Sequence, residues 1–276
     1  DAAVTINDNP TIADLNAIAA KTNGVVTATL AADSIANLES LTTAATDAIT
    51  ITVNDQDATE VTPANLSELG GKTAGTVTVT NAVAVTGSTA EVTAALVTAG
   101  TKVEVNDASV IINDADGVAI TASELSAIGG QTNSTVILSN AVNISGTTDQ
   151  LIAALITTST KVIASTANIN FTDTPTDSQF EAIDAVTTGT IALPTNGNNF
   201  TVTDTSISAG TLISLNNQYS GIVDASAVTT ITGTAAEITT VYSASGITSL
   251  GDESVTVTDA VTKANADTIN AYTTGT

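Results

Sequence analysis

Six aspartates recur at the end of a Thr/Val-rich stretch: Asp8, Asp55, Asp114, Asp173, Asp204 and Asp259. Each follows an Asn or a Thr, namely Asn7, Asn54, Asn113, Thr172, Thr203 and Thr258. Asp57 and Asp116 place a second carboxylate two residues beyond Asp55 and Asp114. Calcium is the cation this donor set suits, because it takes oxygen ligands only and tolerates irregular geometry. One reading is a ladder of Ca²⁺ sites, with carboxylates and carbonyls of neighbouring repeats as ligands. The other is a structural turn, in which each side chain accepts local backbone N–H groups and ends the strand. The calcium motifs themselves are incomplete. Asp114-Ala-Asp116-Gly117 lacks the spacing of a helix–loop–helix site, and the nine-residue Gly/Asp calcium repeat is absent.

Other chemistries find less material. The chain has no His, Cys, Met, Trp or Arg. The usual general bases, thiolate nucleophiles and zinc ligands are therefore missing. A carboxylate pair could serve glycoside hydrolysis, but no Trp offers a sugar platform, and no enzyme activity is expected. Gly70-Gly71 and Gly129-Gly130 read as helix stops rather than phosphate loops, since no Gly-Lys-Ser/Thr follows. The cations are five lysines, Lys21, Lys72, Lys102, Lys161 and Lys263, against 28 Asp and Glu, a net charge of −23. Such a chain repels phosphate and is not expected to bind nucleic acid. No apolar run is long enough to span a membrane. Sequons stand at Asn65, Asn133, Asn143, Asn170 and Asn199. Thr arrays of the kind that suit ice binding are suggested by Thr76, Thr78 and Thr80, by Thr50 and Thr52, and by Thr256 and Thr258. They read equally as an ordinary solvent face, because Thr is a good strand residue.

The elements that position these residues come from a duplication. Residues 62–103 match residues 121–162 without a gap, with 20 of 42 positions identical. Stretch 76–87 alternates Val and Thr and reads as two short strands around Asn81. Stretch 88–100 opens Ser-x-x-Glu, keeps Val92, Ala95 and Leu96 at helical spacing and ends at Gly100, which reads as a capped short helix. Stretch 101–114 reads as strand, and 123–130 as helix again. The first large apolar residue of each helix forms the series Leu15, Ile35 or Leu38, Leu66, Val92, Leu125, Leu151, Phe180, Leu212, Ile238 and Ile269. The expected fold is a repeat solenoid: a parallel β-solenoid with one short α-helix per coil and about ten coils of alternating length. Residues 1–276 are expected to form one elongated array, with LPTNGNN (193–199) bulging from it as a loop. Aromatics are only 2% of the chain, so the core must be thin and aliphatic.

Val4-Thr-Ile-Asn-Asp8 matches Val110-Ile-Ile-Asn-Asp114, and Tyr272-Thr-Thr-Gly-Thr276 copies Val186-Thr-Thr-Gly-Thr190. Both ends therefore read as repeats without a polar cap, whose strand edges are open to pairing. A chain that starts at Asp1 without Met or a signal peptide reads as a processed form or a fragment.

The segment GIVDASAVTTITGTAAEITTVYSASGITSLGDESVTVTD (221–259), with Thr273-Thr-Gly-Thr276, resembles tandem repeats of very large secreted bacterial surface proteins, of cyanobacterial and proteobacterial type. The likeness is strongest over Thr232-Gly-Thr-Ala-Ala-Glu237. It implies an extracellular or cell-surface structural role, as adhesin stalk, surface layer or fibre, and it carries over no catalytic residue. With the open ends, it leads to the expectation of a secreted structural protein that stacks head-to-tail on copies of itself into a filament. A calcium-stiffened adhesin stalk is the alternative, and an ice-binding solenoid a further one.

Overall fold

The computed structural model describes residues 2–98, 100–159, 161–194, 200–219 and 221–276. Most of the LPTNGNN stretch, from 195 to 199, and the sequon at Asn199 lie outside the described residues. Ten α-helices are seen among them: α1 (Ile12–Ala19), α2 (Ile35–Leu38), α3 (Pro63–Gly70), α4 (Thr89–Val92, continued by a π-helical turn over Thr93–Val97), α5 (Ala122–Gly129), α6 (Thr148–Leu155), α7 (Asp177–Asp184), α8 (Ala209–Gln218), α9 (Ala235–Ser243) and α10 (Lys263–Asn270). Helices this short are unstable alone, because nucleation costs more than a few hydrogen bonds return. They persist by burying an aliphatic stripe. Leu15, Leu38, Leu66, Val92, Leu125, Leu151, Phe180, Leu212 and Ile238 are all fully buried, and Ile269 nearly so.

The expectation of a single β-solenoid with one helix per coil is overturned. Among the described residues the strands fall into five separate parallel sheets of five, five, four, three and three strands, and with the ten helices they make a mixed α/β fold. Successive strands alternate between sheets, as Val77–Val79 and Ala84–Gly87 already do around Asn81, and the stretch read as one strand over 101–114 shows it again. It is two strands, Val103–Glu104 and Ser109–Ile112, and they belong to different sheets. Val103 pairs with Val77. Val110, by contrast, pairs with Val85 on one side and with Val136 on the other. The ladder therefore steps sideways at this point, and one sheet ends while another continues.

Two compact units are seen. The first comprises Asp1–Asn143 and Ala153–Ala167, the second Ile144–Ile152 and Asn168–Thr276. In the first unit one sheet runs Val4–Thr5, Val26–Thr29, Ala48–Val53, Val77–Val79, Val103–Glu104. The register stacks like on like: Ile51 on Val77 and Val77 on Val103, with Val110 on Val136 and Val136 on Val162 in the neighbouring sheet. These columns of β-branched residues face inward and are almost wholly buried. Each such side chain contributes about 1.5–3 kcal/mol when it leaves water. In the second unit Ile207, Ile231 and Val255 form the equivalent column. The outward row beside Ile51 and Val77 reads Thr52, Thr78, Glu104, so a carboxylate interrupts the threonines there.

A threonine, buried at Thr73 and Thr132 and half-buried at Thr22 and Thr273, ties each of several helix exits to the repeat before it. Thr73, 3% exposed, donates to the Ile49 carbonyl at 2.6 Å and accepts from the N–H of Ile49 at 2.9 Å and of Gly75 at 2.8 Å. Thr132 repeats the arrangement with the Ala108 carbonyl and the Ser134 N–H. Thr22 and Thr273 do so with the carbonyls of Ala2 and Glu253. Replacing Thr73 with Val keeps the shape but leaves two backbone N–H groups and a carbonyl short of a partner. The expected cost is about 1–3 kcal/mol, read as a lower melting temperature by circular dichroism. Thr73→Ser, which keeps the hydroxyl, is expected to avoid most of that loss, and equal melting of Thr73→Val and wild type would refute the role.

Candidate functional site

Every helix begins by solving the same problem. Its first N–H groups have no partner inside the helix. In α4, Ser88 accepts from the Glu91 N–H while Glu91 accepts from the Ser88 N–H at 2.8 Å, a reciprocal capping box. The same box closes α5 through Thr121 and Glu124, α7 through Thr176 and Gln179, and α9 through Thr234 and Glu237. The Ser88 and Thr234 N–H groups hold the Glu91 and Glu237 carboxyls below the usual carboxylate range. Both boxes therefore support the helix above that range and weaken as pH falls through it.

The box leaves the N–H of the first helical residue unsatisfied, and here the recurrent aspartates act. Asp55 accepts from the Ile35 N–H at 2.7 Å. Asp114 accepts from the Thr89 N–H at 2.7 Å and from the Thr89 hydroxyl at 2.6 Å. Asp173 accepts from the Thr148 N–H at 2.6 Å and its hydroxyl at 2.8 Å. Asp259 accepts from the Ala235 N–H at 2.9 Å. In all four cases the aspartate lies 20–25 residues after the helix start, in the following repeat. A negative charge at a helix N-terminus is also favoured by the helix dipole. We call this contact a clasp. It joins successive repeats through side chain and backbone rather than through apolar contact. In α3 the first residue is Pro63, which has no N–H, and no clasp is needed there.

The other candidate positions differ. Asp57 and Asp116 accept from the N–H of Ala82 at 3.0 Å and of Ala141 at 2.8 Å, again one repeat on. Beside them Asn81 and Asn140 donate to the carbonyls of Asp55 and Asp114, both at 2.7 Å. Asp8 is exposed. Asp204 presents its backbone N–H, rather than its carboxylate, to Asp177. Among the described residues no group of three His, Cys, Asp or Glu side chains is placed to hold a metal ion. The structure thus brings the carboxylates of Asp55, Asp57, Asp114, Asp116, Asp173 and Asp259 each to a backbone donor, and does so for neither Asp8 nor Asp204.

The duplication did not reveal Asp177. It is the first residue of α7, only 2% exposed, and reverses the clasp. Its Oδ2 accepts from the N–H of Thr203 at 3.0 Å and of Asp204 at 2.9 Å, while its Oδ1 is buried without a partner. Burial pushes its carboxyl above the ordinary range against these hydrogen bonds, and the Asp204 charge adds to the rise. Glu253, fully buried, was also not signalled. It accepts from the Gly251 N–H at 2.9 Å and the Tyr242 hydroxyl at 2.8 Å. Tyr242 stacks on Tyr272 with ring centroids 5.2 Å apart. Burial, then the Glu253 carboxylate, pushes the Tyr242 phenol upward.

Two outcomes test this geometry. Asp114→Ala is expected to cost about 1–2 kcal/mol and to speed hydrogen exchange at the Thr89 amide, equally with and without calcium. A loss seen only with calcium present would assign Asp114 to a metal instead. For Asp177 the sign is opposite to the usual carboxylate. Its raised pKa means that ionisation opposes folding, so the penalty grows as pH rises through the carboxylate range and is complete above the raised value. Asp177→Asn is therefore expected to gain stability relative to wild type between pH 3 and pH 7, measured by urea unfolding. A pH-independent difference would refute it. No protein-family model, curated protein or solved structure matches the chain, so its functional reading rests on this geometry.

Proposed function

We propose that the chain is a non-catalytic structural protein of the bacterial cell exterior, in which open strand edges are extended by further repeats and copies join head-to-tail into a filament. The carrying observation is a pair of half-exposed core positions. Val4 pairs in register with Val26, and Val255 with Ile231. Val26 and Ile231 are 1% and 0% exposed, whereas Val4 and Val255 are only half-buried. Strand Val4–Thr5 stands at a sheet edge with backbone groups on one side free to pair, and Ser254–Val257 stands at the edge of another sheet, where the Val255 N–H already donates to the Thr276 carbonyl at 3.0 Å. Adding a parallel strand would bury these valines and satisfy those groups together. A heterologous contact of this kind builds an open fibre when it does not close. The composition fits an exterior scaffold: an acidic, Cys-free, Thr-rich surface. Among the described residues no helix is long and apolar enough to cross a membrane.

A second reading, that of a stalk segment within a larger surface protein, is favoured by a separate observation. Residues 4–25 and 255–276 are the same kind of repeat, so joining those two edges in register sets Asp8 beside Asp259. Two like charges oppose such a junction unless a cation such as Ca²⁺ screens them. Electron microscopy and sedimentation of the purified protein, with calcium and with a chelator, separate the readings. Filaments are expected under the first, with assembly promoted by calcium. A monomer at high concentration under both conditions would refute self-assembly and leave the stalk segment.

A further inference from the structure

Three stretches of this chain share one local structure. A strand residue donates its N–H to a carbonyl 21 residues later: Val4 to Val25 at 2.9 Å, Ile169 to Thr190 at 2.8 Å and Val255 to Thr276 at 3.0 Å. The ladder aspartate follows four residues after that strand residue, and the Thr-capped helix starts eight after it, at Ile12, Asp177 and Lys263. In the second and third stretches the outer side of the strand is covered by the repeat before it. Thr172 and Thr258 donate their N–H groups to Gly146 and Gly233, each at 2.9 Å. Asp173 and Asp259 clasp the first N–H of the helix that follows those glycines.

In the first stretch the equivalent groups are the Asn7 N–H and the Asp8 carboxylate. Neither has a hydrogen-bond partner among the described residues, and both residues are exposed. We infer that the Val4–Asp8 edge is a docking surface for one further polypeptide repeat of the clasped class. That partner brings a parallel strand ending in Gly, then a helix opening Ser/Thr-x-x-Glu/Gln. The strand glycine carbonyl takes the Asn7 N–H, and Asp8 takes the first helical N–H. The contact continues an interface made three times inside the chain, the third where the Asn113 N–H donates to Gly87 and Asp114 clasps Thr89. A carboxylate facing the positive end of a helix gives it charge complementarity. The 255–276 edge of a second copy does not supply this helix start. The inference rests on the second of the two readings, in which further repeats rather than second copies extend this edge, and it names which repeat the edge accepts.

The test appends a repeat of this class. Residues 221–252, which precede the third stretch in the chain, are placed ahead of Ala2 in the otherwise full-length protein. Hydrogen exchange at the Asn7 amide and the melting temperature are then read, with and without Asp8→Ala. The Asn7 amide is expected to slow at least about tenfold on extension, as for other amides entering a ladder. Asp8→Ala is expected to lower the melting temperature of the extended chain by about 2–4 °C and to leave the original chain within about 1 °C. Asp8→Asn, which keeps an acceptor oxygen, is expected to lose less. If Asn7 is protected but Asp8→Ala acts alike in both chains, the clasp at Asp8 is refuted while edge extension stands. If Asn7 gains no protection, both the docking surface and the extension reading fail.

Discussion

The constraint on which this fold depends is the backbone donor at the start of a short helix. Two-turn helices leave a large share of their N–H groups outside the helical pattern. A chain made of ten such helices must find acceptors for all of them or bear their desolvation. It does so with Ser and Thr caps, with Glu and Gln returning to the cap, and with an aspartate from the next repeat. The third device does more than the first two, because its acceptor comes from a different repeat. Helix start and strand end become interdependent, and the order of repeats is fixed by polar contacts as well as by the aliphatic columns.

The same economy shapes the core. With so few aromatic residues, buried area comes from Val, Ile, Leu and Ala in small increments. Parallel register makes this workable, since identical shapes stack on one another at the spacing between strands. Gly87 and Gly233 show how tight the packing becomes where a strand turns into a helix. A Cβ on Gly87 would lie 2.6 Å from the Pro63 ring, and one on Gly233 would lie 2.7 Å from the Ala209 side chain. In both cases the obstacle is the first residue of the preceding helix. The glycine before each of these caps is thus part of the same junction as the clasp that follows it.

Much of this was legible in the sequence. The helix starts could be read from Ser88-x-x-Glu91 and its relatives, and the buried marker residues from Leu15 to Ile269 lie on helices as read. The short strands around Asn81 were also legible. The single-solenoid reading failed, around Asn81 as at 101–114, because alternation alone does not show which sheet each short strand joins. Val103 and Val110 look alike in sequence, yet they pair with different partners. The aspartates were found by recurrence, and the turn reading had them accepting backbone N–H groups; that the donor sits at a helix start one repeat earlier was not read, because a backbone N–H leaves no partner residue type to search for. A spacing of 20–25 residues between a helix start and an Asp was the available signal. Asp177 and Glu253 carried none, since each occurs once and outside the duplicated block.

The net charge takes on a different meaning in this light. A chain at −23 invites a search for cation sites or basic partners. Much of the ladder acid is instead committed to the chain's own N–H groups, from the clasps of Asp55, Asp114, Asp173 and Asp259 to the turn bonds of Asp57 and Asp116. These carboxylates are spread along the repeats at the spacing of helix starts, which keeps them apart from one another. Where a carboxylate is instead buried, at Asp177, desolvation forces it above its ordinary range and the neighbouring Asp204 charge adds to the rise. The distribution of charge therefore follows the backbone's need for acceptors. A repeat added to an open edge would inherit the same rule: its place is set by which helix start its neighbour's aspartate can reach.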